Sequence, residues 1–470
     1  MNPRHIAWPL TGLSVAFALI LAACGGAPAP SAPAAAPQPA ATQAPNTTAA
    51  RSAGVETPQQ LKDAIKVTVW THSGTLEETN AFNHILENFR ASRADIHIDL
   101  VQMPDDKYNE QVQEAVYGAS IAGGLPCLLE FDGPNTYNYV WRGILIPLDS
   151  YISAEMKADF LSSIIAQGTF QDGKLYSLGQ FDSGLAIWGN RKYLEQADVR
   201  MPTVAQPWSR AEFEVALAKL QALPEVEYAL DMKMNYGVGE WYTYGFSPIL
   251  QSFGADLIDR SNYQSADGVL NGLRAVAAME MVQSWFKQGY VNPTPPDDTE
   301  FTKGKAALSW VGHWTATPDR EALGDNLLLL PMPDFGHGPK TGMGSWNWGI
   351  TSACKNPDAA WEVLKFLLEP EQILVMTNAN GAVPARRSAL TKSELYGPGG
   401  MLHLYIQQNE AGFTVPRPIT PAYPMITKAF AEAFKNIARG ADVRSELDKA
   451  VQKIDQDIKD NQGYPFRQGS

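Results

Sequence analysis

Strand-like and helix-like spacings of apolar residues alternate along the first part of the folded region. Apolar and polar positions alternate at 66–70 and 96–100, which predicts strands, and 127–131 is a third, more continuously apolar strand. Apolar residues at helical spacing predict helices over 82–89 and 108–119. The order strand, helix, strand, helix, strand predicts an α/β fold with parallel pairing, right-handed crossovers and helices on both sheet faces.

Chemistry-bearing residues follow two of these predicted strands. His72 lies at the end of the first strand, and Asp132 lies at the end of the third. Ligands of open α/β sheets bind beyond the carboxyl ends of the strands. The pattern therefore places candidate binding residues at one edge of this sheet.

The rest of the chain is mainly helical in pattern. Ser209 followed by Glu212 predicts a helix start with a capping box. Apolar residues at helical spacing predict helices over 359–368, 423–438 and 443–458. No internal repeat interrupts this region.

The N-terminus has the three-part pattern of an export signal. Arg4 supplies positive charge, 13–20 form a short apolar run, and small alanines follow. The run is shorter than the roughly 20 apolar residues that span a bilayer. Leu21–Cys24 resembles a bacterial lipobox, so we expect 1–23 to be a lipoprotein signal peptide and Cys24 to carry lipid; an ordinary signal peptide is the alternative.

Composition indicates how much of the chain folds and argues against some classes of partner. The tract 24–60 is rich in alanine and proline and has too little apolar bulk to fold, so we expect a disordered linker. About 410 residues remain, enough for two domains. The formal net charge of -13 argues against nucleic acid as a partner. His72 and Asp132 lack a second histidine at ligand spacing, so neither a metal nor a cofactor is expected.

Six segments in one order carry a resemblance to a known family. They resemble successive landmarks of the extracellular solute-binding proteins of ABC importers, in particular the large carbohydrate-binding members similar to maltose-binding protein. The resemblance implies a non-enzymatic protein that captures a solute and passes it to a membrane permease. The segments are 66–74 (KVTVWTHSG), 143–152 (GILIPLDSYI), 172–190, 301–314, 344–367 and 381–390 (GAVPARRSAL).

The resemblance also implies a topology. It is the two-lobe periplasmic-binding-protein-like fold of type II, with a cleft between the lobes and three interlobe crossings, near 179–183, 343–348 and 382–385. Each lobe then combines two segments of the chain. The predicted lobes are 61–180 with 347–382, and 183–342 with 385–470.

The same topology bears on the cysteines that remain after lipidation. It makes the strand at Cys127 and the strand ending near Cys354 antiparallel neighbours. A disulfide between them is one expectation, since an oxidising compartment permits it, and two buried thiols are the other.

A carbohydrate site needs flat aromatic surfaces beside carboxylates and amides. Trp314 matches the tryptophan on which this family stacks a sugar ring. Glu240, Trp241 and Tyr242 fall where a carboxylate and an aromatic face the cleft in the maltose-binding members. Asp132 matches an aspartate that binds sugar hydroxyls.

The chain departs from the family pattern beside several candidates. An arginine follows the aspartate in maltose-binding members, but here Gly133 does, so that contact comes from elsewhere or is absent. Arg417 either clamps a carboxylate or phosphate or is an exposed loop arginine. The remaining candidate ligand-binding residues are Asp182, Ser183, Trp346, Asn347, Tyr423 and His72.

The resemblance therefore implies an extracytoplasmic, lipid-anchored monomer that closes about a hinge on a sugar or oligosaccharide and delivers it to an ABC permease. One alternative is a binding protein for glycerol 3-phosphate or another polyol or anion, for which Arg417 is the only strong basic candidate. A second is an exported carbohydrate-active enzyme, whose two carboxylates would leave no local motif.

Overall fold

The computed structural model describes residues 64–118 and 124–465. The predicted signal peptide, Cys24 and the linker lie outside the described residues. Among the helices that are described, none is long and apolar enough to cross a membrane.

Within the described residues, short strands form two four-stranded sheets and two two-stranded sheets. In chain order the strands are β1 (Ile65–Ser73), β2 (Ile96–Pro104), β3 (Leu128–Asp132), β4 (Phe181–Asp182), β5 (Leu185–Asn190), β6 (Tyr228–Asp231), β7 (Ala306–Gly312), β8 (Leu327–Leu330), β9 (Thr341–Met343), β10 (Trp346–Ile350), β11 (Val383–Pro384) and β12 (Thr414–Pro416).

Helices separate and flank these strands. In chain order the α-helices are α1 (Leu76–Ser92), α2 (Asp105–Tyr117), α3 (Thr136–Trp141), α4 (Ala154–Asp159), α5 (Ser162–Gly168), α6 (Arg191–Gln196), α7 (Arg210–Gln221), α8 (Glu240–Ser252), α9 (Leu273–Lys287), α10 (Ala316–Leu323), α11 (Pro357–Leu367), α12 (Pro370–Asn380), α13 (Arg387–Leu390), α14 (His403–Glu410), α15 (Tyr423–Ala438) and α16 (Val443–Asp460). Short 3-10 turns lie at Gly133–Asn135, Met234–Tyr236, His313–Thr315 and Gly324–Asn326.

The first sheet has the order β10-β3-β1-β2. β1 runs parallel to both β2 and β3, which confirms the parallel pairing predicted from the sequence. Val67 and Val69 are wholly buried because alternate residues of β1 face the helices. Pairing with β2 continues to Ser73, so β1 is longer than the predicted 66–70.

The second sheet has the order β6-β7-β5-β8. β7 pairs parallel with β6 and antiparallel with β5. Its core includes Trp310, while α15 and α16 pack with it in the same apolar cluster. Ser209 and Glu212 form the predicted capping box of α7.

The three predicted crossing segments lie side by side. β4 pairs antiparallel with β11, and a bridge joins Gly184 to Met343 beside them. β4 precedes the second sheet, and β10 returns to the first. The exact lobe boundaries stay a prediction.

Cys127 and Cys354 are joined by a disulfide that closes 227 residues of sequence. The strands beside them, β3 and β10, are antiparallel neighbours as expected. The alternative of two buried thiols is therefore wrong. A disulfide of this kind persists in an oxidising compartment.

Candidate functional site

Asp132 and Arg417 join the first sheet to the two-stranded β9–β12 sheet at the centre of the candidate site. Asp132 ends β3 and is only 6% exposed, and Arg417, which follows β12, is 4% exposed. Arg417 Nη1 donates to Asp132 Oδ1 at 3.0 Å, and Asn109 Nδ2 donates to Asp132 Oδ2 at 2.9 Å. The interpretation of Arg417 as an exposed loop arginine is wrong. Its guanidinium reaches Asp132 across 285 positions of sequence, so the cation beside this aspartate comes from a distant part of the chain.

A second carboxylate shares this guanidinium. Arg417 Nη1 also donates to Glu240, the first residue of α8, and the guanidinium carbon lies 4.9 Å from the ring centroid of Tyr244. The hydroxyls of Tyr423 and Thr427 donate to the same Glu240 carboxylate. The arrangement is a buried cation between two anions with an aromatic face beneath it.

The electrostatics of Glu240 follow from its burial. Burial raises the pKa of this carboxyl to about 7, because the attraction of Arg417 only partly offsets the loss of water and Asp132 adds like-charge repulsion. Glu240 therefore titrates in the physiological range.

This pKa predicts a pH-dependent stability. An unfolded glutamate titrates near 4.5, so the stabilisation from protonated Glu240 is complete below that pH and is lost as pH rises through about 7. Between pH 5 and 8, wild type should lose about 2 kcal/mol of unfolding free energy relative to Glu240→Gln. Urea denaturation at a series of pH values measures this, and parallel profiles for the two proteins would refute it.

Aromatic rings form one wall beside these charges. The ring centroids of Trp241 and Trp314 lie 5.7 Å apart and nearly perpendicular, and Tyr244 lies 6.4 Å from Trp314. Both indole N–H groups are already used: Trp314 Nε1 donates to the Tyr236 hydroxyl at 2.9 Å, and Trp241 Nε1 donates to the Met232 carbonyl at 3.2 Å. These indoles are therefore suited to stacking, not to donating hydrogen bonds to a ligand.

A charge network around the buried Lys233 holds Tyr236, the hydrogen-bond acceptor of Trp314. The Tyr236 hydroxyl donates to Asp298 Oδ2 at 3.0 Å, and Lys233 Nζ pairs with Asp298 and Asp231 at 2.7 and 2.8 Å. Lys233 is 1% exposed. Sequence analysis missed this network, although charged residues inside the apolar stretch at 228–234 are a signal that could have found it.

Removing the hydroxyl of Tyr236 should loosen Trp314. In Tyr236→Phe, the Trp314 N–H loses its acceptor and the indole gains freedom. We expect ligand affinity to fall about threefold to tenfold, measured by titration calorimetry. Tyr290→Phe is the matched control, because among the described residues the Tyr290 hydroxyl has no hydrogen-bond partner; equal affinities in the two variants would contradict the anchoring role.

The crossing segment also contributes to this wall. Ser183 Oγ lies 2.9 Å from the Tyr244 hydroxyl and donates to the Gly344 carbonyl at 2.7 Å. Asp182 Oδ1 accepts from the backbone N–H groups of Ser183 and Gly344, and burial raises its pKa. Ser183 therefore joins the candidate site, whereas Asp182 stabilises the crossing.

Comparison with known proteins identifies the family. A family model described as bacterial extracellular solute-binding protein matches residues 73–373. The chain belongs to this family. Its members are extracellular and bind solutes, which confirms the predicted family.

Individual relatives of this solute-binding protein agree with that family. A Brucella abortus protein, whose name calls it a binding protein and specifies no ligand, is 21% identical over 391 residues. The match covers 80% of this chain and 90% of the relative. The maltodextrin-binding protein of Bacillus subtilis is 23% identical over 232 residues, covering 47% and 53%. A Listeria monocytogenes ABC substrate-binding protein, solved with cycloalternan, has a TM-score of 0.71 at 17% identity, covering 84% and 100%. This structural likeness confirms the predicted two-lobe fold.

Two candidate residues of the solute-binding protein lie away from Arg417 and its partners Asp132 and Glu240. Tyr242 is 3% exposed and packs on Phe246 and Phe434. Successive helix residues turn by about 100°, so Tyr242 points away from Glu240, and its expected place in the cleft is wrong. Asn347 is wholly buried, and its Nδ2 donates to Ser177 Oγ at 2.8 Å, so it is a structural residue of β10.

His72 and Trp346 form a separate pair beside Asp132. Their rings stack with centroids 4.0 Å apart, and Trp346 lies opposite Asp132 in the β3–β10 ladder. The His72 imidazole is buried against Glu130 and is not open to a ligand. Within the described residues no cluster of histidine, cysteine and carboxylate side chains has the arrangement of a metal site.

Proposed function

We propose that this solute-binding protein captures a sugar or oligosaccharide between its lobes by hinge closure and delivers it to the permease of an ABC importer, while lipid on Cys24 holds it at the outer face of the membrane. One observation carries the carbohydrate assignment. Stacking faces and hydroxyl-binding carboxylates occur in one connected group: Trp241 and Trp314 contact Tyr244, which lies under the guanidinium shared by Asp132 and Glu240.

The charges favour a neutral ligand over an anion. Arg417, the basic group that glycerol 3-phosphate would need, is already paired with both Asp132 and Glu240. An anionic ligand would have to displace those carboxylates and would meet their repulsion. Carbohydrate hydroxyls can instead bond to the carboxylates without adding charge.

The enzyme alternative has weaker support. Two carboxylates of a glycosidase must be free to act as acid and as base or nucleophile. Glu130 is held by His72 and Thr71, and Asp132 shares one guanidinium with Glu240. Oligosaccharides incubated with the protein should therefore be recovered at full length by chromatography.

The names of related proteins supply the ligands to test. They include the maltodextrin-binding protein of Bacillus subtilis, a receptor of Streptomyces glaucescens solved with acarbose, and proteins solved with mannobiose and with maltotriose. A thermal-shift screen should contain these compounds and glycerol 3-phosphate. A true ligand at 100 times its dissociation constant adds about 2.7 kcal/mol of stability. Stabilisation by glycerol 3-phosphate alone would overturn the carbohydrate assignment.

A further inference from the structure

His72 is buried between two carboxylates and one indole. Its Nδ1 lies 2.8 Å from Glu130 Oε2, and its Nε2 lies 3.8 Å from Glu78 Oε2. The imidazole stacks on Trp346 at 4.0 Å with the ring planes only 12° apart. A ring bonded to Glu130 through Nδ1, flanked by the Glu78 carboxylate and stacked on an indole restrains the plane of that indole.

Hydrogen bonds extend from Glu78, the carboxylate beside His72, towards the second sheet. Asn380 Nδ2, at the end of α12, donates to Glu78 Oε1 at 2.9 Å. The backbone carbonyl of Asn380 accepts from His313 Nδ1 at 2.7 Å. His313 directly follows β7, and its ring lies edge-on to Trp314 with centroids 5.3 Å apart.

The described chain of contacts is tightly enclosed. His72, Asn380 and His313 are each at least nine-tenths buried. A Cβ at Gly74 would lie 2.1 Å from Glu78 Oε2, so a glycine there leaves room for that carboxylate. Gly381 has φ +70°, and a Cβ there would lie 2.7 Å from the His313 carbonyl.

We propose that His72 is a positioning residue for Trp346, and that Glu78 and Asn380 extend this restraint through His313 to Trp314. The two indoles, Trp346 on β10 and Trp314 in the turn directly after β7, are then held by one chain of hydrogen bonds and an ion pair that runs beside the crossing at β11. The idea that these indoles contact ligand rests on the proposed function. The ring positions do not depend on it, and they can be tested without ligand.

The charges around His72 supply a spectroscopic signature. The titratable groups that face it are Glu130 from β3, Glu78 from α1 and Tyr108 from α2. Burial lowers the pKa of His72, but the two carboxylates outweigh burial and hold the pKa well above 6.5. The indole signal of Trp346 should therefore titrate with this histidine, at a pH above the ordinary range of an imidazole.

Nuclear magnetic resonance of the full chain with ¹⁵N-labelled indoles tests the proposal. Trp346→Phe and Trp314→Phe assign the two indole signals among the 12 tryptophans. Asn380→Ala keeps the carbonyl that accepts from His313 but removes the side-chain bonds to Glu78 and to the Ala382 N–H, so the end of α12 is released and both signals should shift. His72→Gln should shift Trp346 and abolish its titration. The matched control is Asn436→Ala, which breaks a similar asparagine–glutamate bond of 2.7 Å between Asn436 and Glu446 and should shift neither.

The outcomes separate this proposal from the proposed function. If the Trp346 signal is independent of pH and is unmoved by Asn380→Ala, the positioning role is wrong, even if His72→Gln fails to fold. With a carbohydrate from the thermal-shift screen, Asn380→Ala should weaken binding about fivefold and Asn436→Ala should not. If no carbohydrate binds, the proposed function fails, whereas the indole shifts still decide the positioning role.

Discussion

Replacing Arg417 with methionine should destabilise the protein by about 3–5 kcal/mol. Arg417 is the shared partner of Asp132 and Glu240, and all three side chains are buried. Methionine fills a similar volume but leaves two carboxylates without their cation, and uncompensated buried charge is among the largest penalties that one substitution can cause. Urea denaturation at pH 8, where Glu240 is mostly ionised, measures the effect.

The control for Arg417→Met is Arg439→Met. Arg439 is exposed and has no ion pair within the part of the chain that the structure describes, so its loss should change the unfolding free energy by less than about 0.5 kcal/mol. Adding Asp132→Asn and Glu240→Gln to Arg417→Met should restore much of the stability, because no unpaired charge then remains. Equal effects of the two arginine substitutions would refute the buried triad.

Replacing Trp314 with alanine should reduce ligand affinity about 100-fold. The indole face lies against Tyr244 and Trp241, and its N–H is tied to Tyr236, so the ring is a preorganised stacking surface. Trp314→Phe keeps an aromatic face but loses the bond to Tyr236, so it should lose only about tenfold. Titration calorimetry gives both values.

The graded order of the Trp314 variants distinguishes stacking from general loss of structure. Both variants should unfold cooperatively, with the alanine variant less stable because it leaves a cavity. Equal affinity of Trp314→Ala and wild type would remove Trp314 from the site.

The spacing of apolar residues and the order of the predicted strands and helices were sufficient to predict the first sheet. The alternation of apolar and polar residues at 66–70 and 96–100 predicted β1 and β2, and the helix between them predicted their parallel pairing. Boundaries were less exact, because pairing between strands extends β1 to Ser73 and α2 ends at Tyr117. Those limits depend on neighbours that are distant in sequence.

The candidate site was only partly predictable for the same reason. The resemblance selected Asp132, Glu240 and Trp314. In the structure these residues are connected through Arg417 and Tyr244. It could not assign Arg417 a role, because the guanidinium meets Asp132 across 285 positions of sequence. The prediction for Tyr242 was wrong because adjacent helix residues face different directions. Its neighbour Trp241 belongs to the aromatic wall, whereas Tyr242 faces the core.

The most direct test of the account is a calorimetric titration with the carbohydrate that stabilises the protein most in the thermal-shift screen, carried out on wild type, Asp132→Asn and Trp314→Ala. The account predicts one-site binding by wild type, with affinity reduced in both variants, although Asp132 ends a strand of the first sheet and Trp314 follows a strand of the second. Unchanged affinity in both variants, or the absence of binding to any carbohydrate alongside binding of glycerol 3-phosphate, would contradict it.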